Sequence, residues 1–350
     1  MDGSIGVAVL GASGFSGGEL IRLLHDHPCF DVTFAGAKGS VGTTVGVSHP
    51  HLAGLPTGGL VMAEMNPEAI ARAAELVLSA LPNGTSAGLA PAILDAGAPV
   101  IDLAGDFRLP ATAYPEWYAF EHPAPAWLDE AVYGLPELFR DRVPGAKLVA
   151  NPGCFATAAI LSCAPILAAG LAEPGPVRVD GKTGVSGAGR AATEPTSFGA
   201  TEDSIRPYRL PAHQHTPEIE RGIERATGRS VDVLFVPHLV PAVRGVVTTS
   251  YLTAASGATT EQLTDCLAAA YDGEPFVRVL PPGGMVDAKR TRGTNVIELQ
   301  AVSDPRTGTA VVVGALDNLV KGAAGQAIQN ANLLMGIDET TALPTTAVYP

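Results

Sequence analysis

The N-terminal twenty residues constrain the fold more than any other part of the chain. An apolar run at residues 5–10 leads directly into Gly-Ala-Ser-Gly-Phe-Ser-Gly at residues 11–17, and a segment of helical character follows. This order predicts a buried strand, a tight turn and a helix that starts near Phe15. Such a turn presents backbone N–H groups and a helix N-terminus to a pyrophosphate, although a tight strand-to-helix turn that binds nothing has the same pattern. The candidate dinucleotide contacts are Gly11, Ser13, Gly14, Phe15, Ser16 and Gly17.

The periodicity of the remaining chain predicts two domains. Short apolar runs at residues 32–36, 76–81, 100–104 and 147–150 alternate with helix-like stretches, which predicts an α/β, Rossmann-type doubly wound parallel sheet over residues 1–153. Longer strand-like segments at residues 176–182, 231–236, 245–253 and 294–302 predict a second, α+β domain with a mixed or antiparallel sheet over residues 154–316. Residues 315–335 have helical composition. We therefore expect a C-terminal helix and tail, residues 317–350, that return to the first domain.

The end of the second predicted strand indicates which dinucleotide is bound. No carboxylate stands there to accept the ribose 2′-hydroxyl of NAD, and Lys38 and Ser40 follow instead. A cation and a hydroxyl suit a 2′-phosphate, so the sequence favours NADP. The alternative is that Lys38 is a solvated loop residue.

Composition excludes several classes of partner. The 350 residues include 22 basic and 35 acidic side chains, a net charge of −13, which argues against nucleic acid or an anionic membrane. The four cysteines lack the spacing of a disulfide framework or a zinc site, so we expect no metal and a reducing, cytoplasmic location. The start has no basic signal segment, and the apolar run at residues 156–172 is interrupted by Pro165 and is too short to span a bilayer.

The sequence Asn-Pro-Gly-Cys at residues 151–154 places a cysteine after a turn and at the start of an apolar run that reads as a helix. The positive end of a helix stabilises the thiolate form of a cysteine, and the N–H groups of the first turn can hold an oxyanion. Cys154 is therefore a candidate nucleophile. The alternative is one more small buried residue.

Other segments supply candidate partners for this thiol. A glycine-rich loop at residues 182–190 ends in Arg190, and His213 and His215 stand just before a predicted helix. One histidine is enough as the acid/base partner of a cysteine. Metal binding by the two histidines is the competing interpretation, but no third ligand has matching spacing.

Five segments together resemble the N-acetyl-gamma-glutamyl-phosphate reductases, a family related to the aspartate-semialdehyde dehydrogenases. They are the glycine turn at 11–17, Asp-Phe-Arg-Leu at 106–109, Asn-Pro-Gly-Cys at 151–154, Ser-Gly-Ala-Gly-Arg at 186–190 and His-Gln-His-Thr-Pro-Glu-Ile at 213–219. The resemblance runs from the first strand to the C-terminal helix and includes Pro-His-Leu-Val-Pro at 237–241 and Asp-Asn-Leu-Val-Lys-Gly at 317–322. Asn83 departs from the pattern, because the family often has histidine there.

The resemblance implies NADPH-dependent reduction of N-acetyl-L-glutamyl 5-phosphate through a thioester on Cys154, with His213 moving the proton and His215 positioning the substrate. Substrate contacts are then expected from Arg108, Asn151, Ser186, Gly187, Arg190, His215, Glu218 and Arg244. Beyond the turn, cofactor contacts are expected from Lys38, Ser40, Pro82, Gly187 and Asn318. The family implies a homodimer or homotetramer. A reductase of aspartyl phosphate or of carrier-linked aminoadipyl phosphate, a cofactor-independent thiol hydrolase and a dinucleotide sensor are the alternatives.

Overall fold

The computed structural model describes residues 4–191 and 193–349. The chain forms two compact units, of which the first holds the residues up to Pro152 together with Ala323–Leu343. The second holds Gly153–Gly322 and the segment from Pro344 onward.

The first unit is built on a six-stranded parallel sheet. Its strands are β1 (Ile5–Leu10), β2 (Phe30–Gly36), β3 (Leu76–Ser79), β4 (Val100–Asp102), β5 (Val132–Tyr133) and β6 (Leu148–Ala150). Their order is β2-β1-β3-β4-β6-β5, and every neighbouring pair is parallel. The predicted doubly wound parallel sheet is confirmed. β5 was not predicted, because two residues are too few to show a period.

The helices of the first unit connect these strands. They are α1 (Phe15–Leu24), α2 (Val45–Ser48), α3 (Pro67–Ala73), α4 (Ser86–Asp95), α5 (Tyr114–Tyr118), α6 (Ala126–Glu130) and α7 (Pro136–Phe139). α1 begins at Phe15, directly after the glycine turn, as the sequence predicted. The carboxyl ends of β1, β2 and β3 therefore meet at the edge of the sheet from which α1 starts.

The second unit is built on a seven-stranded mixed sheet in the order β11-β12-β13-β10-β7-β9-β8. Its strands are β7 (Val177–Thr183), β8 (Arg206–Pro207), β9 (Val233–Leu239), β10 (Val246–Thr253), β11 (Val277–Val279), β12 (Ile297–Asp304) and β13 (Thr309–Leu316). Its helices are α8 (Cys154–Ala168), α9 (Phe198–Thr201), α10 (His215–Thr227), α11 (Thr260–Ala270) and α12 (Ala288–Thr291). The β7/β9 and β11/β12 pairs are parallel and the others antiparallel, which confirms the predicted mixed sheet.

α8 is the central helix of the second unit. Residues 155–167 are buried all the way round, which explains why the apolar run shows no amphipathic period. In the part of the chain that the structure describes, no helix combines the length and the apolar character that a membrane span needs.

The C-terminal helix starts later than the sequence predicted. Residues 315–316 end strand β13, a π-helix follows at Val320–Ala324, and α13 covers Gly325–Leu334. The alternation of β13 is weak because its residues are small and mostly apolar. The prediction from composition therefore assigned the last two residues of β13 to the helix. α13 buries amide side chains, among them Asn330, whose Nδ2 donates to the Gly134 carbonyl at 2.8 Å.

Candidate active site

Cys154 is the first residue of α8. Gly153 is the N-cap, in an extended conformation, and no side chain caps the helix from that position. The N–H groups of the first helical turn therefore lie beside the half-buried thiol. This is the local geometry that the Asn-Pro-Gly-Cys segment predicted.

Glu218 and His215 of α10 fix the turn in front of the cysteine. The Gly153 N–H donates to Glu218 Oε1 at 2.8 Å, and the Glu218 side chain is 1% exposed. A Cβ at Gly153 would lie 2.3 Å from His215 Nε2. Gly222, about two turns along α10 from His215, lets α10 approach α8 closely, because a Cβ there would lie 2.2 Å from Ile160 Cδ1. At the start of α10, the imidazole of His215 occupies the space that a side chain at Gly153 would need.

His213 lies in an aromatic enclosure. Its ring is 4% exposed and makes edge contacts with Phe155, Phe235 and Tyr208 at centroid distances of 6.2, 5.1 and 5.5 Å. Burial, followed by the charge of His215, lowers the pKa of His213 to about 2. Nδ1 of His213 accepts the His215 backbone N–H at 3.1 Å, so the neutral ring carries its proton on Nε2.

Tyr208 belongs to the same group of side chains, and no sequence pattern predicted it. Burial raises the pKa of its phenol, and the negative charge of Cys154 raises it further. The hydroxyl therefore stays protonated and lies within electrostatic range of the thiol. The only signal in the sequence is that an aromatic residue stands five positions before His213. Because the segment has no periodicity, this residue looks the same as one that only packs.

The π-helix at Val320–Ala324 packs against Cys154. A Cβ added at Gly322 would lie 2.6 Å from Cys154 Cβ and 3.2 Å from Leu316 Cδ1. π-turns inside helical segments occur frequently at functional sites. Only a glycine leaves room for the cysteine at this contact.

Asn318 and Ser186 are joined by a hydrogen bond. Asn318 Nδ2 donates to Ser186 Oγ at 2.9 Å, and Asn318 Oδ1 accepts the Gly245 N–H at 2.7 Å. The Asn318 side chain is 3% exposed. Gly187 is exposed in the following 3-10 turn. The Asn318 amide, which was predicted to contact the cofactor, therefore ties two loops together within the second unit.

The three predicted arginines have different surroundings. Arg108 is buried in the first unit, where Nε donates to the Asn151 carbonyl at 2.8 Å and Nη2 to the Leu103 carbonyl at 2.7 Å. Arg244 pairs with the fully buried Asp317, with Nε 3.5 Å from Oδ2. The side chain of Arg190 is exposed.

Asn151 is fully buried within the first unit. Its Nδ2 donates to the Ala323 carbonyl at 3.3 Å, and its Oδ1 accepts from Asn330 Nδ2 at 3.0 Å. These bonds anchor the chain just before the Pro-Gly-Cys turn.

The glycine turn has the shape that its spacing predicted. Gly11 has a positive φ of 78°, and a Cβ there would lie 2.4 Å from the Ala80 carbonyl oxygen. A Cβ at Gly17 would lie 2.2 Å from the Gly11 carbonyl oxygen, and Gly14 is the N-cap of α1. The turn is therefore closed so tightly that only glycine fits at positions 11 and 17. Lys38 and Pro82 are exposed on the loops that follow β2 and β3, and Ser40 is half-buried.

Asn83 has a structural role at the carboxyl ends of β3 and β4. Its Oδ1 accepts the Gly105 N–H at 2.9 Å. The Asp106 carboxylate accepts the Gly84 and Ala87 N–H groups at 2.7 and 2.8 Å and so caps α4. These bonds join the two loops beside the glycine turn.

Among residues 4–191 and 193–349, no group of three or more histidine, cysteine, aspartate or glutamate side chains is arranged to hold a metal ion.

Comparisons with known proteins agree with both units. Residues 6–146 match the family model "Semialdehyde dehydrogenase, NAD binding domain", and residues 154–318 match "Semialdehyde dehydrogenase, dimerisation domain". The chain is 47% identical to an N-acetyl-gamma-glutamyl-phosphate reductase of Symbiobacterium thermophilum, over 99% of this chain and 100% of the relative. It is 42% identical to one of Magnetococcus marinus, over 100% of both chains.

Solved structures show the same fold. Aspartate semialdehyde dehydrogenase II of Vibrio cholerae aligns with a TM-score of 0.72 at 19% identity, over 95% of this chain and 98% of that one. A Candida albicans aspartate semialdehyde dehydrogenase, solved with NADP, aligns with a TM-score of 0.72 at 18% identity, over 95% and 98%.

Proposed function

The chain belongs to the N-acetyl-gamma-glutamyl-phosphate reductase family, and we propose that its chemistry takes place on Cys154. The protein is an NADP-dependent oxidoreductase that reduces N-acetyl-L-glutamyl 5-phosphate to N-acetyl-L-glutamate 5-semialdehyde in arginine biosynthesis. The observation that carries the assignment to Cys154 is its place at the N-terminus of α8, against His215 and the turn that Glu218 holds.

The thiolate of Cys154 attacks the acyl carbon of the substrate. A C–S bond forms, the C–O bond to phosphate breaks, and the departing phosphate oxygen takes a proton. NADPH, when bound, supplies the hydride that the thioester carbon accepts. The C–S bond then breaks, the aldehyde leaves and Cys154 returns as a thiolate. The N–H groups of the first turn of α8 are suited to stabilise the oxyanion of each tetrahedral stage.

We assign the proton transfer to His215, which reverses the order of the two histidines predicted from the sequence. A group with a pKa of about 2 is neutral at pH 7 and is a weak base, which disfavours His213 for this role. The half-buried His215 ring lies against Gly153, one residue before the nucleophile. His213 accepts the His215 N–H and so orients it, and its Nε2–H is a candidate donor to the substrate.

Asparagine variants of the two histidines test this order. His215→Asn is expected to lower kcat by about 10²-fold or more and to remove the limb of the pH–rate profile that belongs to the acid/base group. His213→Asn is expected to raise KM for the acyl phosphate and to leave that limb in place. The opposite pattern would return the acid/base role to His213.

The glycine turn of the first unit suits the pyrophosphate of NADP, because Gly11 and Gly17 let the backbone close tightly at the start of α1, and the first turn of a helix attracts phosphate. We propose that Lys38 and Ser40 bind the 2′-phosphate. The double variant Lys38→Ala, Ser40→Ala is expected to erode the preference for NADPH over NADH. An unchanged ratio would place the recognition of the 2′-phosphate elsewhere.

We propose that Arg190 binds an anionic group of the substrate, because its side chain is exposed on the loop after β7. Arg108 and Arg244 are proposed to have mainly a positioning role. Arg108 holds the Asn151 and Leu103 carbonyls, and Arg244 holds the Asp317 carboxylate. Ser186, Gly187 and Glu218 remain proposed substrate contacts.

The match of the second unit to a dimerisation domain supports an oligomer, and we propose a homodimer or homotetramer. Light scattering on the purified protein distinguishes these from a monomer. A cytoplasmic location is proposed because all four cysteines are free thiols.

The function is tested by phosphate-dependent reduction of NADP with N-acetyl-glutamate 5-semialdehyde, followed as absorbance of the reduced nicotinamide. Aspartate semialdehyde is the matched control substrate. Turnover on the acetylated substrate alone is expected. Turnover on aspartate semialdehyde alone would move the protein to the aspartyl phosphate reaction. The absence of turnover on either would contradict the assignment.

A further inference from the structure

His49 lies in the excursion between β2 and α3, outside every motif that predicted the function. It follows α2, and its backbone N–H donates to the Val45 carbonyl at 2.8 Å. Its carbonyl accepts the Leu52 N–H at 2.9 Å, and Pro50 after it restricts its backbone to extended conformations. The side chain is only 4% exposed. A histidine held this firmly and buried this deeply has a fixed ring direction.

The ring of His49 reaches the glycine turn. Its Nε2 lies 2.8 Å from the Ala12 carbonyl oxygen. Because a carbonyl oxygen only accepts, Nε2 carries the proton and donates it. A Cβ at Gly18 would lie 2.3 Å from His49 Cε1 and 2.5 Å from Nδ1. Gly18 therefore leaves the face of α1 open for this ring.

Gly17 and Gly18 of α1 must each be glycine for a different reason. Gly17 is required by the turn itself, because its Cβ would meet the Gly11 carbonyl. Gly18 is required only by the ring of His49. The dinucleotide fingerprint explains the first and does not explain the second.

The bond to Ala12 fixes one peptide plane of the turn. The Ala12 N–H donates to the Gly36 carbonyl at 2.9 Å, its carbonyl accepts from His49, and its side chain is fully buried. The Ala12 carbonyl and the Ser13 N–H belong to the same trans peptide, so they point in opposite directions. A donor that holds the carbonyl on one side also directs the Ser13 N–H to the other.

We propose that His49 is a positioning residue for the cofactor, which sets the direction of the Ser13 N–H toward the pyrophosphate by holding the Ala12 carbonyl. The proposal rests on the dinucleotide site of the proposed function. It gives the excursion of residues 41–63 a role, because this segment starts at the loop that carries Lys38 and Ser40 and returns to the pyrophosphate turn.

Three variants of the full chain test the proposal by NADP affinity, measured by titration calorimetry. His49→Leu keeps the bulk and removes the donor, and it is expected to weaken NADP binding by about tenfold, in line with the loss of a hydrogen bond to a buried carbonyl. His49→Gln places an amide N–H near the position of Nε2 and is expected to bind NADP within about threefold of the wild type. His51→Leu is the control, because that exposed ring lies edge-on to His49 at 5.9 Å.

A substitution in α1 also tests the bond between His49 and the Ala12 carbonyl. Gly18→Ala displaces the ring and is expected to weaken NADP binding as His49→Leu does. Gly88→Ala in α4 is its control, because a Cβ there meets nothing within 4 Å. Neither His49→Leu nor Gly18→Ala should change the rate at which iodoacetamide alkylates Cys154, which separates a local effect on the turn from general unfolding.

Unchanged NADP affinity in folded His49→Leu would overturn the proposal, and so would a loss in His49→Gln as large as that in His49→Leu. A wild-type protein that bound no NADP would overturn the cofactor site itself, together with the role of His49.

Discussion

Glu218 is a buried carboxylate whose importance lies in the N–H that it accepts. Replacing it with leucine leaves the Gly153 N–H without this acceptor, which costs about 1–3 kcal/mol for a buried donor. We expect Glu218→Leu to lower the free energy of unfolding by that amount and to change the rate at which Cys154 is alkylated, because the turn in front of the thiol is no longer held. Glu218→Gln keeps an acceptor oxygen and is expected to recover most of both. Equal loss in the two variants would show that the negative charge, and not the hydrogen bond, is what matters.

Asp102 gives the first unit a dependence on pH. Its carboxyl is fully buried at the end of β4, and burial, followed by the charge of Asp106, raises its pKa to about 7. Ser86 and Arg108 also face this carboxyl and act in the opposite direction. The folded chain thus holds a proton that the unfolded chain releases near its ordinary pKa. The stabilisation is complete below that ordinary value and is lost as the pH rises to about 7.

Chemical denaturation of the wild type and of Asp102→Asn between pH 4 and pH 8 measures this effect. The wild type is expected to lose up to a few kcal/mol relative to Asp102→Asn across that range. Parallel stability curves for the two proteins would show that Asp102 does not carry the proton.

Single residues differ in how far the sequence predicted them. Cys154 and the histidine pair stand out because few residue types do their chemistry and their local spacing is visible. The bond between Gly153 and Glu218 joins residues 65 positions apart, and no local pattern reports it. The burial that lowers the pKa of His213 comes from Phe155 and Phe235, which lie on separate elements. The two histidines are therefore visible in the sequence as a pair, whereas the packing that distinguishes them is not.

At the scale of elements, the π-helix at Val320–Ala324 is the feature that the sequence least reveals. Helical composition continues through it, and only the packing of Gly322 on Cys154 gives the wider turn a reason. By contrast, α1 and α8 start where the glycine turn and the Pro-Gly-Cys turn predicted. Helix starts have local chemical signals, whereas a π-turn depends on what lies beside it.

Gly322→Ala tests the role of this element. The added methyl group has no space beside Cys154 Cβ, so the thiol must move from its place at the start of α8. We expect kcat to fall by about tenfold or more with little change in KM for NADPH, and the pH dependence of Cys154 alkylation to shift. Gly199→Ala in α9 is the control, because a Cβ there meets nothing within 4 Å. Normal kcat in Gly322→Ala would show that the cysteine tolerates displacement.

At the scale of the whole molecule, the two sheet classes followed from the alternation of elements. Short apolar runs separated by helices require parallel crossovers, and longer alternating segments favour antiparallel pairing. Strand order and register did not follow, because they depend on contacts between distant segments. The strand β13, which lies between β12 and β10 in the second sheet, was missed for the same reason that the start of the last helix was misplaced.

The central claim is that an acyl group is carried on Cys154. The most direct measurement is mass spectrometry of the protein after incubation with N-acetyl-glutamate 5-semialdehyde and NADP without phosphate. In this reverse direction the thiolate adds to the aldehyde, hydride passes to NADP, and the thioester accumulates because no phosphate removes it. We predict one acyl group on the peptide that contains Cys154, with about one equivalent of NADPH formed, and neither in Cys154→Ser. An acyl group on another cysteine, or NADPH formed by Cys154→Ser, would contradict the account.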